Sequence, residues 1–133
     1  MNRKHRQRGA AILEFGLAFL AFFVVLYGIM EFGRIVASYN ILSGAAREGA
    51  RYAIVHGSAS GSVATASDIQ DIVRRWAIGM DTSTVAVTTT WSPGNAPGGL
   101  VKVTASYNIT PFTALLVKSG ITVQSSSQMA ISQ

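Results

Sequence analysis

One run decides what the N-terminal quarter of this chain can be. From Ala10 to Met30 every residue except Glu14 is uncharged, and nearly all are apolar. About 20 such residues wound as a helix cover a hydrocarbon core ~30 Å thick. Backbone N–H and C=O groups find no water in lipid, so a lone span of this kind is helical. Glu14 is the exception within it. An ionisable group at that depth is costly, and the expectation is a partner and a role. A simpler reading leaves it one turn inside the membrane, with its carboxylate reaching back to the headgroups.

The flanks of the run set its expected orientation. Arg3, Lys4, Arg6 and Arg8 precede it, whereas only Arg34, beside Glu31, follows closely. The positive-inside rule then puts the N-terminus in the cytoplasm and exports everything beyond the span. The same four cations explain the basic balance. Without residues 1–9 the formal charge falls from +5 to +1, so a pI near 10.1 reports the leader and no nucleic-acid partner is expected. A cleaved secretory signal fits less well. Its apolar region runs about 7–15 residues and ends in a small-x-small site. Here the run is longer, and Ile35-Val36-Ala37 is a late, poor match. Cysteine is absent, so neither disulfides nor thiol chemistry enters.

Beyond the run, no proline and no turn cluster interrupts the chain before Gly57-Ser58-Ala59-Ser60-Gly61, which predicts a helix continuing to about Val55. In its outer half Ile35, Tyr39, Leu42, Ala46, Gly49 and Ala53 recur every three or four residues as one apolar stripe. Ala45, Gly49 and Ala53 form a small-xxx-small-xxx-small ridge that lets another backbone come close. It serves either the protein's own sheet, the favoured reading, or a neighbouring helix. Residues 57–66 read as a flexible Gly/Ser/Ala linker. Ser67 with Gln70 has the spacing of a capping box opening a second helix. Ile69, Ile72, Val73, Trp76 and Ala77 share a face of it, with Trp76 expected in the core and Gly79 as the stop.

Period-two alternation follows, in Val85, Val87, Thr89 and Trp91, then in Val101, Val103, Ala105, Tyr107 and Ile109, and last from Ile121 to Ile131. Ser92–Gly99 is a turn, and Phe112–Val117 a short apolar connection of ambiguous type. Three antiparallel strands need an apolar cover, which the outer helix half supplies. The predicted fold is therefore α+β: a long N-terminal helix, a short helix and a small antiparallel sheet packed on the outer helix half. The expected divisions are a leader over 1–9, a membrane helix over 10–33, its exported continuation over 34–56 and a small α+β head over 57–133.

Catalytic groupings are scarce. A triad of His56, Ser58 and Asp68 can be drawn, but without a nucleophile elbow or oxyanion loop. Six acids and two histidines show no metal-ligand spacing, and Gly94–Gly99 does not lead from a strand into a helix as a phosphate loop does. No cofactor and no enzymatic activity are expected.

The basic leader, Gly9, four small or apolar residues, then Glu14-Phe15 and an apolar run resemble the type IV prepilin processing site. The short leader and Phe15, with Gly28-Ile29-Met30-Glu31-Phe32-Gly33-Arg34 and Ala45-Ala46-Arg47-Glu48-Gly49-Ala50-Arg51-Tyr52-Ala53, resemble the TadE-like pseudopilins of tight-adherence (Flp) pili. That resemblance covers roughly the first 56 residues. It implies cleavage between Gly9 and Ala10 by prepilin peptidase, and contact with other pilin-like subunits through Glu14 and Phe15. It also implies docking on an inner-membrane assembly platform, with a single pass through the lipid bilayer and a periplasmic head that can enter an extracellular pilus. The alternative is an unprocessed, membrane-anchored periplasmic binding module.

Overall fold

A computed structural model of the 133-residue chain describes residues 3–111 and 120–132, with side chains from Gly9 onward. The elements in order are α1 (Arg3–Val55), α2 (Ala66–Trp76), β1 (Ala86–Ser92), β2 (Leu100–Ile109) and β3 (Ile121–Ala130). The fold is α+β. The chain divides into two compact units, Met1–Arg34 and Ile35–Gln133.

The first unit is helical throughout its described residues. α1 contains a stretch long and apolar enough to cross a membrane, and none of that stretch is buried within the chain. Residues 3–8 of the expected 1–9 leader are helical: their backbone continues the helix back to Arg3. Adding residues to an existing helix gains a hydrogen bond for each one fixed, whereas starting a new helix is the costly step.

In the second unit Leu42, Ala45, Ala46, Ala50 and Ala53 of α1 are fully buried. They share one core with Ile69 and Val73 of α2 and with Val101, Val103 and Ala105 of β2. Alanines are abundant here because the helix lies close to the elements it covers. Within the predicted stripe, Tyr39 departs and is about half exposed. The sheet is antiparallel in the order β1-β2-β3. Its register aligns Val87, Ala105 and Ser125 across the three strands, and likewise Trp91, Val101 and Met129. These rows form the inner face, as the alternation requires.

Three local expectations change. The capping box opens two residues earlier, at Thr65 and Asp68 rather than Ser67 and Gln70. Thr65 N–H and Thr65 Oγ1 donate to the Asp68 carboxylate at 2.9 and 2.7 Å, and Asp68 N–H donates to Thr65 Oγ1 at 3.2 Å. A carboxylate accepts these bonds better than an amide, and it also suits the positive end of a helix. Trp76 is 49% exposed rather than core. Ile69, Val73 and Ala77 take the buried row at spacing four, leaving Ile72 and Trp76 one row aside at its rim. The 57–66 segment is not a featureless linker. Ser60 Oγ donates to the carbonyls of Gly57 and Ser62, Ala64 N–H to His56, and Ser58 N–H to Asn95. Gly79 has φ +80°, two residues beyond the Ala77 cap. The expected Phe112–Val117 connection lies outside the described residues.

The Thr65 cap gives a measurable expectation. Thr65→Ala removes an N-cap, which costs about 0.5–2 kcal/mol. The hydrogen bonds from Thr65 are the main reason the Asp68 carboxyl titrates below its ordinary range, with His56 adding a smaller electrostatic pull. A depressed carboxyl stabilises the fold above its unfolded pKa, and that contribution fades as pH falls through the folded value. The gap in unfolding midpoint between parent and Thr65→Ala should therefore narrow below about pH 4, where the unfolded carboxyl titrates. A gap that stayed constant down to pH 2 would remove the carboxylate from the cap.

Candidate processing and assembly site

Gly9, Ala10, Glu14 and Phe15 lie on consecutive turns of α1, and all four are exposed. A side chain added at Gly9 would meet nothing within 4 Å. Glu14 follows Ala10 by four residues, which stacks the two on one helix face about one turn apart. Among the described residues, Glu14 makes no ion pair or hydrogen bond. Ion pairs elsewhere join Glu31 to Arg34 at 2.8 Å and Glu48 to Arg51 at 3.0 Å. The chain thus holds an acid in its most apolar stretch with no described counter-charge. Arg3, Lys4, Arg6 and Arg8 continue the same helix backbone.

Phe15 begins a feature that residue-type patterns alone did not single out. Its ring stacks on Phe19 at 5.8 Å between centroids, and Phe19 meets Phe23 at 4.6 Å. Spacing of four brings side chains together along a helix, so the sequence did carry this signal. Beside the row, Gly16 opens a groove of about 410 Å³ walled by Phe19, Leu20 and Phe23.

The other predicted packing residues lie in the second unit. Ala45, Gly49 and Ala53 are all buried. A Cβ at Gly49 would sit 2.6 Å from Val73 Cγ2 and 3.4 Å from both Ile69 Cγ2 and Val103 Cγ1. At Gly49 the ridge meets the chain's own α2 and β2. Glu48, Arg51, Tyr52, Val55, Ile72 and Trp76 line a separate groove of about 210 Å³. His56 stacks on Tyr52 at 4.1 Å and places Nδ1 2.9 Å from the Tyr52 carbonyl. Ser58 gives its N–H to the Asn95 carbonyl, His56 turns to Tyr52 and Asp68 to Thr65, so no hydrogen bond among the described residues joins His56, Ser58 and Asp68. Among the described residues, no group of three or more acids or histidines could hold a metal ion.

Comparison with known proteins adds one finding. Residues 9–51 match a family described as TadE-like protein. No curated protein and no solved structure matches the chain. The matched segment holds the exposed Gly9, Glu14, the aromatic row and most of the small-residue ridge. Over residues 9–51, under half of its length, the chain is similar to that family.

Proposed function

We propose that the protein is a pilin-like structural subunit associated with a tight-adherence (Tad/Flp) type IV pilus. In this reading prepilin peptidase cuts between Gly9 and Ala10. Arg3, Lys4, Arg6 and Arg8 hold the N-terminus in the cytoplasm, and the head is exported across the inner membrane. The subunit is a substrate of the peptidase and a part of the assembly, with no catalysis of its own. It joins other pilin-like subunits on the membrane assembly platform and serves adhesion or surface attachment.

The observation that carries this reading is Glu14. It is exposed, lacks a described partner, and lies one turn from Ala10 inside the TadE-like segment. Cleavage after Gly9 creates an α-amino cation on Ala10. A neighbouring subunit's amine then meets the Glu14 carboxylate, which offsets the cost of placing that acid in lipid. Glycine before the cut leaves the peptidase a bare backbone to approach.

The test is the N-terminal mass of protein taken from its native membrane, with protease digestion of intact spheroplasts as a second readout. Expected are a chain beginning at Ala10 and a digested head. Intact Met1 or Asn2, with active peptidase present, would leave an unprocessed membrane-anchored module as the better description. A start at Ser38 would make the segment a secretory signal.

A further inference from the structure

The groove between α1 and α2 combines apolar walls with an ion pair. Glu48, Arg51, Tyr52 and Val55 line it from α1, and Ile72 and Trp76 complete it from α2. Its volume of about 210 Å³ lies below the roughly 300 Å³ at which pockets for drug-sized ligands begin, so it holds one small ring. Trp76 is 49% exposed there and Val55 42%. The site is ordered without a ligand. Tyr52 stacks on His56, whose Nδ1 lies 2.9 Å from the Tyr52 carbonyl. Arg51 Nε donates to Glu48 Oε2 at 3.0 Å, a bond that uses neither Arg51 Nη group and leaves Glu48 Oε1 aside. The groove thus offers aromatic walls beside a paired acid and base, with donors and an acceptor to spare and no net charge.

We infer that this groove binds a single neutral pyranose, the terminal ring of a glycan. Charge selects the class. A cation would be repelled by Arg51 and an anion by Glu48, whereas a neutral ring disturbs neither half of the pair. A purely apolar side chain would fill the walls but leave the free ends of the pair covered and unbonded, which is unfavourable. A pyranose supplies both parts. Its C–H groups carry the slight positive charge that an aromatic face attracts, and its hydroxyls both donate and accept. Walls already held in place lose little freedom on binding. Only one ring fits, so the ligand is the end of a glycan and not its middle. The inference concerns the head alone and stands whether or not the chain is cut at Gly9–Ala10.

The test uses the full chain in a polyoxyethylene detergent, since sugar-based detergents would compete. Methyl β-D-glucopyranoside and methyl β-D-galactopyranoside are the neutral probes, and methyl β-D-glucuronide is the anionic one. In saturation-transfer NMR at least one neutral probe should half-saturate at about millimolar concentration, the affinity a ligand of this size reaches at ordinary efficiency. Trp76→Ala should weaken that binding about tenfold, and Trp76→Phe should keep most of it. Glu48→Gln leaves the Arg51 charge unbalanced, so preference should move toward the glucuronide, a change that a merely structural role would not produce. Thermal unfolding of each variant is followed alongside. If the alanine chain fails to fold, the shift in Glu48→Gln decides the question. Saturation by neither neutral probe would overturn the proposal. So would unchanged binding in a folded Trp76→Ala chain, or tighter binding of the glucuronide by the parent. A photo-crosslinking residue at Val55 supplies the last arm. Adducts to another protein in native membranes would assign the groove to a protein contact and overturn the glycan; their absence is expected. None of these readouts depends on the N-terminal mass, which tests the pilin-like reading separately.

Discussion

Gly49→Leu should abolish the folded head. α1 passes so near α2 and β2 at this point that even one methyl at Gly49 would lie 2.6 Å from Val73 Cγ2. Val73 is fully buried and β-branched, so it has neither free space nor a spare rotamer to turn into. Gly49→Ala sets two effects against each other. Overpacking costs about 1–3 kcal/mol, and the better helix propensity of alanine returns about 1 kcal/mol. The net is a loss of up to about 2 kcal/mol. Leucine adds three further carbons with Ile69 Cγ2 and Val103 Cγ1 already 3.4 Å away. The helix must then lift off the sheet, separating the buried alanines from Val101 and Val103. For a domain whose whole stability is of order 5–15 kcal/mol, that is most or all of it. The readout is thermal unfolding and protease resistance of the full chain in detergent. Gly44→Ala is the control, since its added carbon meets nothing within 4 Å and the site is exposed. It should stabilise the helix by up to about 1 kcal/mol. A Gly49→Leu chain that melts like the parent would mean that α1 does not lie on Val73 and Val103.

Much of this architecture was legible because it is periodic. Val101, Val103 and Ala105 alternate without a break, and β2 is the central strand on which both neighbours register. The apolar run and its acid are local features and need no tertiary context. What the pattern could not supply was depth. Trp76 has the composition of a core residue and the right helical period. Yet the buried row is Ile69, Val73 and Ala77, and the packing of α2 into the core it shares with α1 and the sheet decides which row wins. The capping box slid for a related reason. Thr65, Ser67 and Asp68 all carry capping groups, and the choice falls to the pair whose bonds are reciprocal. In residues 57–66 composition suggested flexibility, whereas serine hydroxyls and distant carbonyls hold the backbone. Asn95, which accepts from Ser58, is far away in sequence and invisible to any local window.

Glu14→Gln should leave insertion and cleavage intact and abolish assembly. Gln keeps the shape of the side chain and is cheaper to hold in lipid, so the isolated subunit sits in the bilayer at least as comfortably. The proposed cut, Gly9–Ala10, lies more than a turn away, and both residues stay exposed. The change falls on the neighbour. In the proposed assembly its Ala10 amine loses the carboxylate it pairs with, and Glu31 is already engaged with Arg34 at 2.8 Å. Removing one member of a buried ion pair typically costs about 3–5 kcal/mol. Each ~1.4 kcal/mol is tenfold in an equilibrium, so docking falls by roughly two to three and a half powers of ten per contact. Shape is untouched, because Gln remains among Ala10, Ala18 and Ala21. Any loss of assembly therefore reports charge and not fit. Leu13→Ile, one residue away and off that face, should do little. The measurement pairs the N-terminal mass of the variant with a count of surface pili. A protein that starts at Ala10, accumulates normally and no longer supports pili is the expected outcome. Normal piliation with Gln at this position would mean that the acid binds no neighbouring amine.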